Sequence, residues 1–216
     1  MRPDPGEARA ALESVPVFPL PGLVLLPEQR LPLHIFEPRY RAMVRDILEG
    51  SPFLVVACVV GELDADLPRI SSIATVGRVT AHQRLPDGRF NILVEGQVRV
   101  SLEELPFTPP YRRARATPLP EPEPAEVRPA VRAALLSVAT QVIRAAKAKT
   151  PQWDFTAPME MPSSRLALKL VDRFVDDPAG RLSVLRAEGA EARVARATTA
   201  LASVLAEGAD APSGMN

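Results

Sequence analysis

The chain has 216 residues, with 26 basic and 26 acidic side chains, 24 prolines, one cysteine and ten aromatics (one Trp, two Tyr, seven Phe). Its 46% hydrophobic and 24% charged residues suffice for a real core, which excludes global disorder or a collagen-like chain, and the length corresponds to one large or two small domains. Zero formal net charge gives no overall case for a polyanion binder, and a single thiol, Cys58, cannot form an internal disulfide.

The opening MRPDPGEARAALES carries acids and prolines where a signal sequence needs an apolar stretch. No run approaches the ~20 apolar residues that span a bilayer. Residues 1–14 are therefore expected to be a flexible start, and the protein to be cytoplasmic. Val15-Pro16-Val17-Phe18-Pro19-Leu20 predicts an edge strand, because proline cannot donate to a central ladder. Leu23–Leu26 and Leu31–Phe36 are two further apolar runs. After Glu37-Pro38 the spacing turns helical, with Tyr40, Val44, Ile47 and Leu48 on one face. Pro38 suits the first helical position and Gly50 the position past the last, which predicts a helix over 38–48. The continuous apolar run Phe53–Val60 predicts a strand buried on both faces. Thr75–Leu85 and Arg89–Glu95 flank the turn residues Pro86-Asp87-Gly88, a hairpin signature, and Gly96 permits a bend before Val98, Val100 and Leu102 resume alternation. Tyr111–Ala116 offers one more strand. Five to seven short strands around one embedded helix, without a βαβ rhythm, predict a compact, mostly antiparallel, barrel-like sheet.

Nineteen of the 24 prolines lie at or before Pro129. The alternating prolines from Pro118 to Pro124 favour an extended linker over 118–126, with a β-rich domain at 15–117 and a helical bundle at 127–206. The fold class expected is α+β. In the second half, Val127, Val131, Leu135, Val138 and Val142 form an apolar stripe on a first helix. Ser163 to Val175 is a second, with Ser163 or Ser164 as its cap. Asp177-Pro178 starts a short third, and Ala190–Ala206 is the fourth, leaving 207–216 as a disordered tail.

Motifs for catalysis are absent. There is no Gly-Lys dipeptide for a P-loop, no G-x-S-x-G elbow, and no C-x-x-C or H-E-x-x-H to hold a metal. His34 lies in an apolar run and reads as a structural, hydrogen-bonded histidine; His82 reads as solvent-facing and Cys58 as a small buried hydrophobe. No cofactor is expected, and the chain is not expected to be an enzyme. Arg112, Arg113 and Arg115 beside Tyr111 suit single-stranded nucleic acid, but Glu103, Glu104 and Glu121 nearby favour a balanced, exposed strand face. The segment TPQWDFTAPMEMP holds Trp153, Phe155, Met159 and Met161 between two helices. Such side chains suit an adaptable apolar surface, and they are the candidate peptide contacts, the rival reading being a lid over the helical core.

The run VPVFPLPGLVLLPEQRLPLHIFEPRYRAMVRDIL, Val15 to Leu48, closely resembles the opening of the N-terminal substrate-binding domain of Lon-type ATP-dependent proteases. Its centre is Pro32, His34, Phe36, Glu37, Pro38, Arg39 and Tyr40; Val76-Gly77, Pro86-Asp87-Gly88-Arg89, Ile92–Gly96 and Pro110-Tyr111 resemble later strands, and Ser163–Leu205 the closing helices. The resemblance spans residues 15–205. It implies a PUA-like β domain followed by a helical bundle, a non-catalytic module that recognises unfolded or degron-bearing polypeptides and serves a protease or ATPase subunit as adaptor or regulator. The family's ATPase and Ser-Lys peptidase residues have no counterpart positions here. Alternatives are an RNA-binding PUA-like protein, or a component with ATP-dependent peptidase activity, for which the chain offers no nucleophile; a membrane partner is not expected. Physically, Glu37 before Pro38 sits where a carboxylate is stabilised by the helix N-terminus, which makes the motif fold-determining rather than a contact site.

Overall fold

The structure is a computed structural model that describes residues 10–62, 67–120, 127–150 and 160–210, the last three by backbone alone. It divides into two units, Met1–Pro120 and Glu121–Asn216.

Among the described residues the first unit holds β1 (Val15–Leu20), β2 (Arg30–Ile35), α1 (Pro38–Glu49), β3 (Phe53–Cys58), β4 (Ile73–Arg84), β5 (Phe90–Glu104) and β6 (Arg112–Pro118). Residues 10–12 are helical, and the Glu13 N–H donates to the Ala10 carbonyl at 3.2 Å, which corrects the flexible start expected there. The strands form a mixed sheet in the order β2-β5-β4-β3-β1-β6, and a further β5–β6 pairing joins the second half of β5 back to β6. Among the described residues, only β1 and β3 run parallel. The 15-residue β5 pairs through 90–95 with β2, through 90–101 with β4 and through 100–104 with β6. Two bulges let it do so. Gln97 is the extra residue between the Val76–Val98 and Gly77–Gly96 pairs, and Thr80 between the Val79–Val94 and Ala81–Leu93 pairs. Each bends the strands and sharpens their twist.

β1 corrects the edge-strand expectation, since it lies between β3 and β6. The prolines survive there because the two ladders barely overlap along β1. Val15–Val17 pair with β6 and Val17–Leu20 with β3, so Pro16 stands beside one partner and Pro19 beside the other. Each has one open side for its missing N–H.

Alternation in β3 sorts the unit's apolar side chains into two clusters. Leu54 and Val56 join Phe18, Leu25, Ile35 and the buried face of α1, which is Tyr40, Met43, Val44 and Ile47. Phe53, Val55 and Ala57 join Val15, Val17, Val76, Val100 and Ala114. The run Val24-Leu25-Leu26 is no strand but a buried plug. The Thr75 hydroxyl donates to the Leu25 carbonyl at 2.7 Å, and the Gln29 side chain accepts from the Leu26 N–H at 3.0 Å.

Among its described residues the second unit holds α2 (Pro129–Lys149), α3 (Ser163–Phe174), α4 (Pro178–Leu185) and α5 (Ala190–Asp210). α5 packs against all three of the others. Its Val194, Ala197 and Leu201 are fully buried, as are Leu135 and Ala139 of α2 and Leu166 and Leu170 of α3. Asp177 caps α4 by accepting from the N–H groups of Ala179 (3.2 Å) and Gly180 (2.7 Å), with Pro178 at its first position. The expected serine cap of α3 is corrected. Pro162 holds the cap position, both serines are buried, and the Ser163 hydroxyl accepts from Arg132 at 2.6 Å instead. The α5 helix also runs to Asp210 rather than ending at Ala206, because Glu207–Asp210 contains no proline and the single Gly208 costs only about 1 kcal/mol.

A Cβ built on Gly96 would stand 2.2 Å from the Leu26 carbonyl oxygen. Gly96→Ala is therefore expected to displace the plug and lower the free energy of unfolding by about 1–3 kcal/mol, read by urea titration of both proteins. A variant as stable as the parent would show that the plug yields freely.

Candidate functional site

β2 ends at Ile35 and Pro38 opens α1, so residues 36 and 37 form a short corner between strand and helix. Phe36 is left 60% exposed there. One turn on, Tyr40 is buried, with its ring edge-to-face on Phe18 at 4.5 Å between centroids and 65° between planes. The Arg39 guanidinium sits 4.6 Å above the Tyr40 ring and pairs with Glu37 at 2.8 Å. Opposite this corner stand Phe107, Pro110 and Tyr111, from the segment between β5 and β6, and Leu67 and Pro68. Phe107 and Leu67 are 47% and 45% exposed. Together these groups line an open groove of about 580 Å³. Phe18, Phe36, Tyr40, Phe107 and Tyr111 all face it, five of the chain's ten aromatics. An exposed cluster of large apolar side chains with a polar rim is the usual mark of an interaction surface.

The charged groups near the groove are tied into the fold. The Tyr111 hydroxyl donates to Asp46 on α1 at 2.5 Å and accepts from Arg113 at 2.7 Å, which holds the groove floor to the helix. Arg112 donates to the Glu104 carboxylate and to the Pro68 carbonyl, the latter at 2.7 Å. Arg115 pairs with Glu13 at 3.0 Å and Glu103 at 2.8 Å. The cluster Arg112, Arg113, Arg115 thus spends its donors inside the unit. Burial raises the pKa of Tyr40, opposed by the Arg39 charge, and burial together with the Asp46 hydrogen bond raises that of Tyr111.

His34 is exposed on β2 and hydrogen-bonded twice, Nδ1 to Asn91 Oδ1 at 2.7 Å and Nε2 to Arg89 at 3.3 Å. A guanidinium only donates, so Nε2 accepts and Nδ1 carries the proton given to Asn91. His82 is exposed and Cys58 buried. Among the described residues, no group of three His, Cys, Asp or Glu is placed to hold a metal ion, and no helix is long and apolar enough to cross a membrane.

Of the residues singled out in the sequence, His34, Phe36, Glu37, Arg39 and Tyr40 come together on one wall of the groove, while Pro32 and Pro38 lie just outside it in β2 and at the start of α1. The motif that marks the helix start therefore also supplies a surface. Trp153, Phe155 and Met159 lie outside the described residues; Met161 is half-buried and its carbonyl accepts from Arg132 at 3.3 Å. Sequence reasoning missed Phe107, Leu67 and Phe18. Phe107 had a usable signal, an aromatic in Leu105-Pro106-Phe107-Thr108-Pro109-Pro110, where prolines forbid a regular element that would bury it.

A family model described as "ATP-dependent protease La (LON) substrate-binding domain" matches residues 14–203. The chain belongs to this LON substrate-binding domain family. Among curated LON relatives it is 26% identical over 186 residues to a Lon protease of Chloroherpeton thalassium, which covers 85% of this chain and 22% of that protein. It is 31% identical over 112 residues to Lon protease 2 of Sorangium cellulosum, covering 50% of this chain and 14% of the relative. The chain thus spans about a fifth or less of the length of these Lon proteases. Two solved structures share the LON fold. One is the Lon N-terminal domain protein of Xanthomonas campestris, with TM-score 0.63 and 21% identity, covering 89% of this chain and 97% of that one. The other is the N-terminal domain of the Mycobacterium avium complex Lon protease, with TM-score 0.63 and 18% identity over 92% and 99% of the two chains.

Both tyrosines titrate above their ordinary value of 10.0. A group whose folded pKa is raised contributes stability that is complete below its unfolded pKa and lost as the pH rises through the folded one. The free energy of unfolding is therefore expected to fall as the pH climbs above 10.0, and to fall less steeply in Tyr111→Phe. Urea titrations at several alkaline pH values check this; parallel curves would refute the Tyr111 contribution.

Proposed function

We propose that this chain is a non-catalytic polypeptide-binding module, and that the groove between the Phe36 corner and Phe107 is its contact surface. In this reading the ring of pairings through β1, β3, β4, β5 and β6 is a PUA-like barrel, and α2 to α5 are the helical bundle that follows it in the family. The observation that carries it is the exposure of Phe36, Phe107 and Leu67 around one groove, a cost in solvation that folding alone does not require. Aromatic side chains give large contact area with few rotatable bonds, so they bind unfolded segments at small entropic expense. Membership of the LON family supports unfolded or degron-bearing polypeptides as the occupants and a protease or ATPase subunit as the partner served. An RNA-binding role finds little support, since Arg112, Arg113 and Arg115 already hold Glu104, Tyr111, Glu13 and Glu103. Trp153, Phe155, Met159 and Met161 stand as a second candidate contact surface.

The test uses fluorescein-labelled casein as an unfolded probe and its anisotropy as the readout. The double variant Phe36→Ala/Phe107→Ala is expected to bind at least tenfold more weakly, as for aromatic hot spots, with little change in the unfolding midpoint because both side chains are exposed. Binding should depend weakly on salt, unlike phosphate contacts. A loss below twofold, or a tenfold loss in Trp153→Ala/Phe155→Ala instead, would move the site away from the groove.

A further inference from the structure

β2 lies at the end of the strand order, so its ladder to β5 satisfies only one of its edges. Two observations fix which backbone groups are left over. The Gln29 carbonyl accepts from the Gly96 N–H at 2.9 Å, so by alternation residues 31, 33 and 35 point their backbone groups to β5, and 30, 32 and 34 point theirs away. Pro32, which has no N–H to give, falls in the outward set. In that register His34 stands opposite Asn91, to which it is hydrogen-bonded at 2.7 Å, and Arg30 opposite Glu95, with which it pairs at 3.9 Å. The His34 N–H and the carbonyls of Pro32 and His34 thus form a row that meets no backbone partner among the described residues, and it ends at Phe36 on the wall of the groove.

We infer that an extended polypeptide segment is bound by addition as a strand to this edge of β2, pairing with the backbone of His34 while its side chains reach the groove. This rests on the reading of the groove as a polypeptide site and names the mode of recognition there. A row of alternating backbone donors and acceptors is matched only by another extended backbone. An added strand would set alternate side chains beside Leu33 on one face and beside His34 and Phe36 on the other, all of which line the groove. The edge is poorly suited to a second copy of itself, since Pro32 and Arg30 are the residue types that keep exposed edges from pairing with one another. Pro32 also confines the usable row to the end nearest Phe36.

His34→Pro deletes the outward N–H and leaves the ladder to β5, as Pro32 already does two residues earlier. His34→Ala removes the same imidazole and keeps the N–H, so the two are compared with each other. His34→Pro is expected to bind labelled casein about fivefold or more weakly than His34→Ala, the factor for one lost backbone hydrogen bond. Should His34→Pro fold poorly, hydrogen exchange on the unmodified chain reads the same contact, with the His34 amide expected to slow when casein is added. Equal affinities of the two variants, or an unslowed His34 amide with casein bound, would overturn strand addition while leaving the groove reading intact. A His34 amide already protected without casein in a chain that runs as a dimer would assign the edge to a second copy and overturn it as well. Casein that does not bind at all would overturn both readings together.

Discussion

The carbonyl of Leu26 occupies the space where any side chain at residue 96 would stand, and the placement of the groove descends from that contact. Because residue 96 is glycine, the plug Val24-Leu25-Leu26 can lie against β5. The Gly96 N–H then reaches Gln29 at 2.9 Å and the Gly96 carbonyl takes the Glu28 N–H at 2.8 Å. Glu28 adopts a left-handed φ of 65° to make that turn, an uncommon conformation for a residue with a side chain, held by the hydrogen bonds on either side. The turn delivers Arg30 opposite Glu95, and from there the register of β2 is fixed to Ile35 opposite Phe90. A slip of one residue would exchange the buried Leu31 and Ile35 for Arg30 and His34, so burial locks what the turn begins. Phe36 and Glu37 therefore emerge at one defined point, where Pro38 redirects the chain into α1.

The two apolar clusters divide the labour around this frame. One closes the pairing of β6 with β1 and β5 through small residues, Ala57, Ala74, Ala114 and Ala116, which let the strands approach closely. The other lies under α1 and carries Phe18, Tyr40 and Tyr111, whose outer surfaces also line the groove. The groove floor is thus the top of a packed core, not a loop surface. Tyr111 joins them chemically, with its ring in the cluster and its hydroxyl held between Asp46 of α1 and Arg113 of β6. A surface built this way is preorganised, so a ligand loses its own freedom on binding without also having to order the protein.

Much of this was legible in the residues where local chemistry decides. Pro38 and Gly50 bracket α1 at 38–49, the unbroken apolar run of β3 is buried on both faces, and Asp177-Pro178 caps α4. Reading failed where long-range pairing decides. The prolines of β1 suggested an edge because a sequence does not show that the β3 and β6 ladders would be staggered along it. Ser163 looked like a cap until Arg132 claimed its hydroxyl. The groove was half visible. His34 to Tyr40 are contiguous and conspicuous, but Phe18, Leu67 and Phe107 come from three distant segments, and no local pattern brings them opposite Phe36. The dual character of the Glu37-Pro38-Arg39-Tyr40 stretch was hidden for the same reason, since its helix-starting chemistry is local and its surface is assembled only by the fold.

An exposed sheet edge is normally a liability, and β2 carries the usual guards in Arg30, Pro32 and the ion pair to Glu95. The guards are unevenly placed. They cover the end of β2 nearest the plug and leave the end nearest the groove with backbone groups that meet no partner among the described residues. The ladder does not require this gap, because proline at an outward position removes no ladder bond, as Pro32 itself demonstrates. The unguarded end coincides with Phe36, the most exposed of the chain's large apolar side chains among the described residues. Backbone groups contribute little discrimination between sequences, and an aromatic groove prefers apolar side chains without specifying their order. In the proposed reading, a site combining the two would hold many different extended segments through a similar set of contacts and would reject folded proteins, whose strands and apolar side chains are already paired with one another.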